Sequence, residues 1–231
     1  MSSTYSFSYF NKIHVNSFIL CVFLTIIVLV IPIIPLLKNK INIMKYATFL
    51  GILGLSIKLF ESIYRVLFEN FSIADSIPLH FCNFALIIAG LYLITKKSIF
   101  FNILYFFSFG ALAAIILPGV GKYYTHFYVY LFMINHFFEI ATVLFGFIYM
   151  KEQITFTGYR VSILVTSILF IISFFYNKLF GTNFMFLETY IATFFEFIKP
   201  FYVYRIVLVL SFFVVMTLMY VLPKKIFLKS K

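Results

Sequence analysis

Seven apolar runs, each about as long as a lipid bilayer is thick, restrict what this chain can fold into. They cover about residues 17–37, 44–68, 77–95, 98–118, 127–150, 159–176 and 201–222. A transmembrane helix needs roughly 20 apolar residues to cross the hydrocarbon core. Hydrophobic residues make up 64% of the 231 and charged residues 11%, far too little polar surface for a soluble domain of this length. The predicted fold is therefore all-α: one polytopic membrane domain over residues 1–231, a bundle of seven transmembrane helices. Connections are short, with no linker, low-complexity tract or internal repeat; only 177–200 is long. Within it, Glu188, Thr189, Ala192, Thr193 and Glu196 form one polar or small stripe among Phe and Ile, which predicts a short amphipathic helix near 184–198 lying on the membrane surface.

The net charge of +11 is not read as a nucleic-acid footprint, because lysines in short loops are what membrane topology requires. Lys12, Lys122, Lys178 and Lys199 fall on one side of a seven-span chain. The other side collects eleven: Lys38, Lys40, Lys45, Lys96, Lys97, Lys151, Arg160, Lys224, Lys225, Lys229 and Lys231. Basic loops stay inside, so the reading places the protein in the cell membrane, amino terminus outside and carboxyl terminus cytoplasmic. The first run is too long for a signal peptide and lacks a small-residue cleavage pattern. Two cysteines exclude a disulfide framework.

The polar residues inside the spans are the candidates for function. Lys58, Glu61 and Arg65 share one face of the second span, and a lipid-facing carboxylate costs about 2.5–3.5 kcal/mol even on lenient scales, so Glu61 is expected to face the interior and pair with a neighbour. The third run opens "SIPLHFCN", with Ser76 as expected N-cap and Pro78 in the first turn. His80 and Cys82 then lie within two turns of a helix N-terminus, where the dipole favours thiolate. On a regular helix they point about 200° apart, and His80 shares its face with Asn83. In the fifth span His136 and Glu139 share a face, as a base and its orienting carboxylate would. Asn177, Asn183 and Arg205 complete a polar layer, with Glu61 and Arg65, in the outer half of the bundle; the inner half is almost purely apolar. Spacing of the metal-binding type is lacking, and neither a metal nor a cofactor is expected. "GVGKYY" at Gly119 keeps only the ending of a phosphate loop and follows a membrane span, so it carries no nucleotide site.

"IPLHFC" opening one span, "GALAAIILPG" closing the next, "MINHFFEI" in the fifth and "NKLFGTNFMFL" after the sixth together resemble the YwaF-like integral membrane protein family over about residues 45–220. That family takes in an animal transmembrane acyltransferase acting on phospholipids. The resemblance implies that Cys82 carries an acyl group as a thioester. Three readings stay open: a lipid-directed acyltransferase or thioesterase with Cys82, His136 and Glu139 catalytic and His80, Asn83, Glu61, Arg65, Asn177, Asn183 and Arg205 binding substrate; a small-solute transporter; and a non-enzymatic scaffold or sensor. Membrane lipids are the expected partners.

The topology has a direct check. Single cysteines placed at Lys40 and Asp75 and labelled from outside intact cells should mark Asp75→Cys alone; labelling of Lys40→Cys would reverse the orientation.

Overall fold

The computed structural model describes residues 4–34, 37 and 40–228, with side chains through Pro223. Lys38, Lys229 and Lys231, counted above, and the end of the first predicted span lie outside the described residues. Each apolar run becomes one helix: α1 (Lys12–Val30), α2 (Ile43–Phe68), α3 (Phe81–Thr95), α4 (Ser98–Ile116), α5 (His126–Tyr149), α6 (Phe156–Phe180) and α7 (Phe201–Leu228). Six are long and apolar enough to cross a membrane, while α3 has 15 residues. The chain is an all-α polytopic membrane protein. Side-chain caps start several of these helices: Asn11, Asn42, Thr125 and Thr155 accept from the backbone N–H three residues on.

The bundle is built around α3, α4 and α5, which pack on one another. On its flanks α1 leans on α5, α2 on α3 and α5, and α6 and α7 on each other and on α4. The backbones of α2 and α3 meet at a pair of glycines. A Cβ on Gly51 would stand 2.8 Å from the Gly90 carbonyl oxygen, so only glycine lets these backbones touch. Small residues at such crossings substitute for the hydrophobic drive that lipid does not supply.

Both ends are tied. At one end β1 (Tyr5–Ser6) pairs antiparallel with β2 (Lys122–Tyr123). Beside this pair the buried Glu69 carboxylate accepts from the backbone N–H of Tyr124 (2.6 Å) and Thr125 (2.9 Å) and from the Thr125 hydroxyl. Tyr176 donates to the carbonyl of Ala74 across the same end (3.3 Å). At the opposite end Lys96 reaches Thr48 (2.5 Å), and Asn102 donates to the Gln153 carbonyl while accepting from the Thr155 N–H. The segments assigned above to one side of the membrane thus gather at one end of the bundle.

Two expectations are corrected. The third helix begins at Phe81 with His80 as its N-cap, not at Ser76. Ser72, Asp75 and Ser76 instead close a 3-10 turn among themselves, with the Ser76 hydroxyl donating to the Ser72 carbonyl, and Pro78 holds Ile77 in an extended conformation. The connection between α6 and α7 is not one amphipathic helix: it folds as two 3-10 turns, Phe184–Phe186 and Thr193–Phe197, joined by irregular chain.

Glu69 gives the fold its first test. Glu69→Ala leaves two backbone donors without their acceptor, at about 1–3 kcal/mol each, so melting in detergent should show a loss of roughly 2–6 kcal/mol. Glu69→Gln, which keeps one acceptor oxygen, should lose about half as much. An unchanged melting temperature for Glu69→Ala would mean that water satisfies the start of α5.

Candidate functional site

One stripe of α2 runs Ala47, Leu50, Gly51, Gly54, Lys58, Glu61 and Arg65, all buried. Gly51 lets α3 come close and Gly54 makes room for the Phe138 ring of α5, and the charged residues follow as the stripe approaches the Cys82 end. Lys58, Glu61 and Arg65 are 4%, 4% and 6% exposed. The Lys58 ammonium donates to Glu61 Oε2 at 2.5 Å and to Asn83 Oδ1 at 2.9 Å. Arg65 Nε stands 3.6 Å from Glu61 Oε1, and its guanidinium lies 4.0 Å over the Phe71 ring. Glu61 therefore faces the interior between two cations, as expected. The same stripe continues to Glu69, four residues beyond Arg65, which the sequence reading passed over although its spacing marked it.

α3 sets the depth of this cluster. Lys96, at its far end, bonds Thr48 near the start of α2; Gly90 meets Gly51, and Asn83 meets Lys58. The start of α3 is thus level with about residue 61 of α2, which climbs on to Phe68. At 1.5 Å per residue, Cys82 lies roughly 10 Å below the top of its neighbour. Non-helical chain from Ile77 to His80, tightened by the Leu79 N–H donating to the Ile77 carbonyl (2.9 Å), reaches it from above. Non-helical chain at membrane depth is tolerated only against protein or a polar cavity.

Cys82 occupies the first turn of α3, and the backbone N–H groups of Cys82 and Asn83 lie against its sulfur. It is half-buried, as are His80 and Asn83. Lys58 and Glu61 of α2 act on it electrostatically, and Glu139 of α5 lies within range of Cys82, Lys58 and His136. Buried Tyr128 joins the same group, near Cys82, Glu61 and Arg65. Three helices therefore bring a thiol, an ammonium and two carboxylates together.

On α5, His136 is 3% and Glu139 1% exposed. The imidazole Nδ1 lies 2.7 Å from the Phe132 carbonyl. A carbonyl only accepts, so Nδ1 carries a proton, and in the neutral imidazole Nε2 then presents a bare lone pair. The group that orients His136 is this carbonyl, not Glu139. His136 Nε2, Glu139 Oε2 and Asn135 Oδ1 are buried with no hydrogen-bond partner among the described residues, and they lie on adjoining positions of one helix. No hydrogen bond joins His136 to Cys82.

The remaining predicted residues serve the fold around the cluster. His80 packs on Phe184 (5.0 Å) and Phe186 (5.3 Å), within electrostatic range of Lys58 and Arg65. Asn177 accepts from the Thr182 hydroxyl and the Phe184 N–H and donates to the Phe184 carbonyl; Asn183 accepts from the N–H groups of Glu188 and Thr189. Both amides are committed to a turn in which Met185 and Phe186 take left-handed φ of 57° and 56°, a conformation costing about 1–2 kcal/mol per residue. Arg205 donates to the Leu187 carbonyl (2.5 Å) and Glu188 (3.1 Å), so it clamps the same connection. His126 stacks by Tyr5 at 4.2 Å, apart from the cluster.

A family model matches residues 7–220. The chain belongs to the TMEM164 family. That is the name carried by the match, in place of the YwaF-like label of the sequence resemblance. An uncharacterized protein of Treponema pallidum (strain Nichols) is 33% identical over 170 residues, 74% of this chain and 71% of the relative. No solved structure matches.

Glu61→Ala tests the cluster as structure. It strands two buried cations and should cost about 3–5 kcal/mol, whereas Glu196→Ala, at an exposed position, should stay within about 0.5 kcal/mol. Equal melting temperatures in detergent would mean that Glu61 is solvated.

Proposed function

We propose that this TMEM164-family protein is a lipid-directed acyl-transfer enzyme, an acyltransferase or thioesterase, whose nucleophile is Cys82. The observation that carries the reading is the convergence on Cys82 of Lys58 and Glu61 from α2 and Glu139 from α5, below the level at which α2 ends. The helix start, its backbone N–H groups and the Lys58 ammonium favour thiolate, while burial and the nearby carboxylates oppose it, so the sulfur reacts as a base takes its proton. The α5 pair supplies the base. His136 Nε2 is the basic site, and Glu139 lies in range of both the thiol and the imidazole. Their unpartnered atoms support a chemical role, since each costs stability on the order of 1–3 kcal/mol as it stands.

The substrate is an ester of a membrane lipid. The start of α3 below the end of α2 supports this choice, since ester linkages lie deeper in a bilayer than headgroups. In the acylation step the sulfur bonds the ester carbonyl carbon and the carbon–oxygen ester bond breaks. The thiol proton passes through the α5 pair to the departing lysolipid alkoxide. His80 and Arg205 shape the wall through the α6–α7 connection rather than react.

The test uses purified full-length protein in nanodiscs containing a phosphatidylcholine with a fluorescent acyl chain. Cys82 should acquire label that hydroxylamine releases, while Cys21, buried on α1, stays unlabelled. His136→Ala should slow labelling about a hundredfold, and Cys82→Ala should abolish it. Label absent from Cys82, or equal on both cysteines, would sink the reading.

A further inference from the structure

Lys58 is buried, bridges α2 to α3 and has no evident reacting partner of its own. Its contact with Asn83 nevertheless fixes something that the sequence leaves open. An ammonium is donor only, so the atom of the Asn83 side chain at 2.9 Å from Lys58 Nζ is the carbonyl oxygen Oδ1. The Lys58 ammonium is itself anchored by Glu61 at 2.5 Å, which holds this arrangement. The amide nitrogen Nδ2 is thereby turned away from α2. It makes no hydrogen bond to any described residue, and the half-buried Asn83 keeps it accessible. The residue before it in the chain is Cys82, whose sulfur already faces the N–H of Asn83. On α5, Glu139 lies within electrostatic range of Cys82, and its Oε2 and His136 Nε2 are buried and unpartnered as well, so a free donor on the residue next to the thiol is joined by unpartnered acceptors on a neighbouring helix.

We propose that Asn83 Nδ2 is the oxyanion donor of this site and that Lys58, held by Glu61, is the residue that positions it. The inference rests on the acyl-transfer reading above and deepens it. When the Cys82 sulfur bonds the ester carbonyl carbon, the carbonyl π pair moves onto oxygen, and the resulting oxyanion accepts from Asn83 Nδ2. When the carbon–oxygen ester bond breaks, that pair returns to re-form the carbonyl of the thioester. The negative charge leaves with the lysolipid alkoxide, which takes the proton held by the α5 pair. A donor fixed before the charge develops is worth more than one that must reorient, and an amide locked by a buried ammonium needs no reorientation.

Alkylation separates this role from thiol activation and from folding. Iodoacetamide reacts with a thiolate by displacement and develops no carbonyl oxyanion, whereas acylation by a lipid ester does. In the nanodisc assay with fluorescent-acyl phosphatidylcholine, Asn83→Ala should slow Cys82 acylation about a hundredfold, with iodoacetamide alkylation of Cys82 within about threefold of wild type. Asn83→Asp keeps an acceptor for Lys58 but has no N–H, and should show the same split. Lys58→Met should slow acylation by a smaller factor, about tenfold, since the donor remains but is no longer held. Wild-type acylation together with an Asn83→Ala rate within about threefold of it would overturn the oxyanion assignment alone. Equal loss of acylation and alkylation would also overturn it, by placing the action of Asn83 on the thiol. A wild-type Cys82 that takes no acyl group would sink the acyl-transfer reading and this inference with it.

Discussion

Charge placed in lipid must find a partner inside the protein, and the Cys82 end of this bundle follows from how Lys58, Glu61 and Arg65 meet that requirement. Glu61 sits between two cations, one of which also holds Asn83 of α3. A buried ion pair of this kind is seldom a net source of stability, because desolvating both charges costs about as much as their attraction returns. Its usual service is to fix a geometry. Here it fixes the height and rotation of α3 relative to α2 at the one place where α3 begins.

The short α3 and the glycine crossing are two parts of the same arrangement. Gly51 and Gly90 bring the helices into backbone contact, and from that contact toward the charged cluster the facing positions change from small to polar. A longer α3 would have lifted Cys82 toward the headgroups and out of range of Glu139. The turn built by Asn177 and Asn183 covers the approach from the other flank, with Phe184 and Phe186 against His80.

Much of this was legible in the sequence because membrane burial is a coarse, strong signal. Seven apolar runs became seven helices, and the in-span charges on α2 paired as their spacing required. What was not legible depended on competition among local hydrogen bonds. Ser76 looked like a cap for the third helix, but Ser72 and Asp75 form a turn with it before the helix can start. Glu139 looked like the partner of His136, but the carbonyl of Phe132, four residues earlier, is nearer and leaves no trace in a sequence. Asn177 and Asn183 read as binding residues because polar groups at a span end usually are exposed; both amides instead hold the positive-φ turn at Met185 and Phe186. The orientation of the Asn83 amide is invisible until Lys58 is seen to touch it.

A helix of 15 residues also raises the question of what fills the missing length. At 1.5 Å per residue α3 is roughly 22 Å long, against about 30 Å of hydrocarbon, while α2 beside it has 26 residues. Only Thr95 of α3 is exposed, so the shortfall is made up by protein rather than by lipid: Ser173 of α6 donates to the Leu79 carbonyl, and Phe184 and Phe186 pack on His80 above the start of the helix. Whatever approaches Cys82 therefore meets this cover first, and the aromatic side chains of the cover, more than the thickness of the bilayer, act as the sieve.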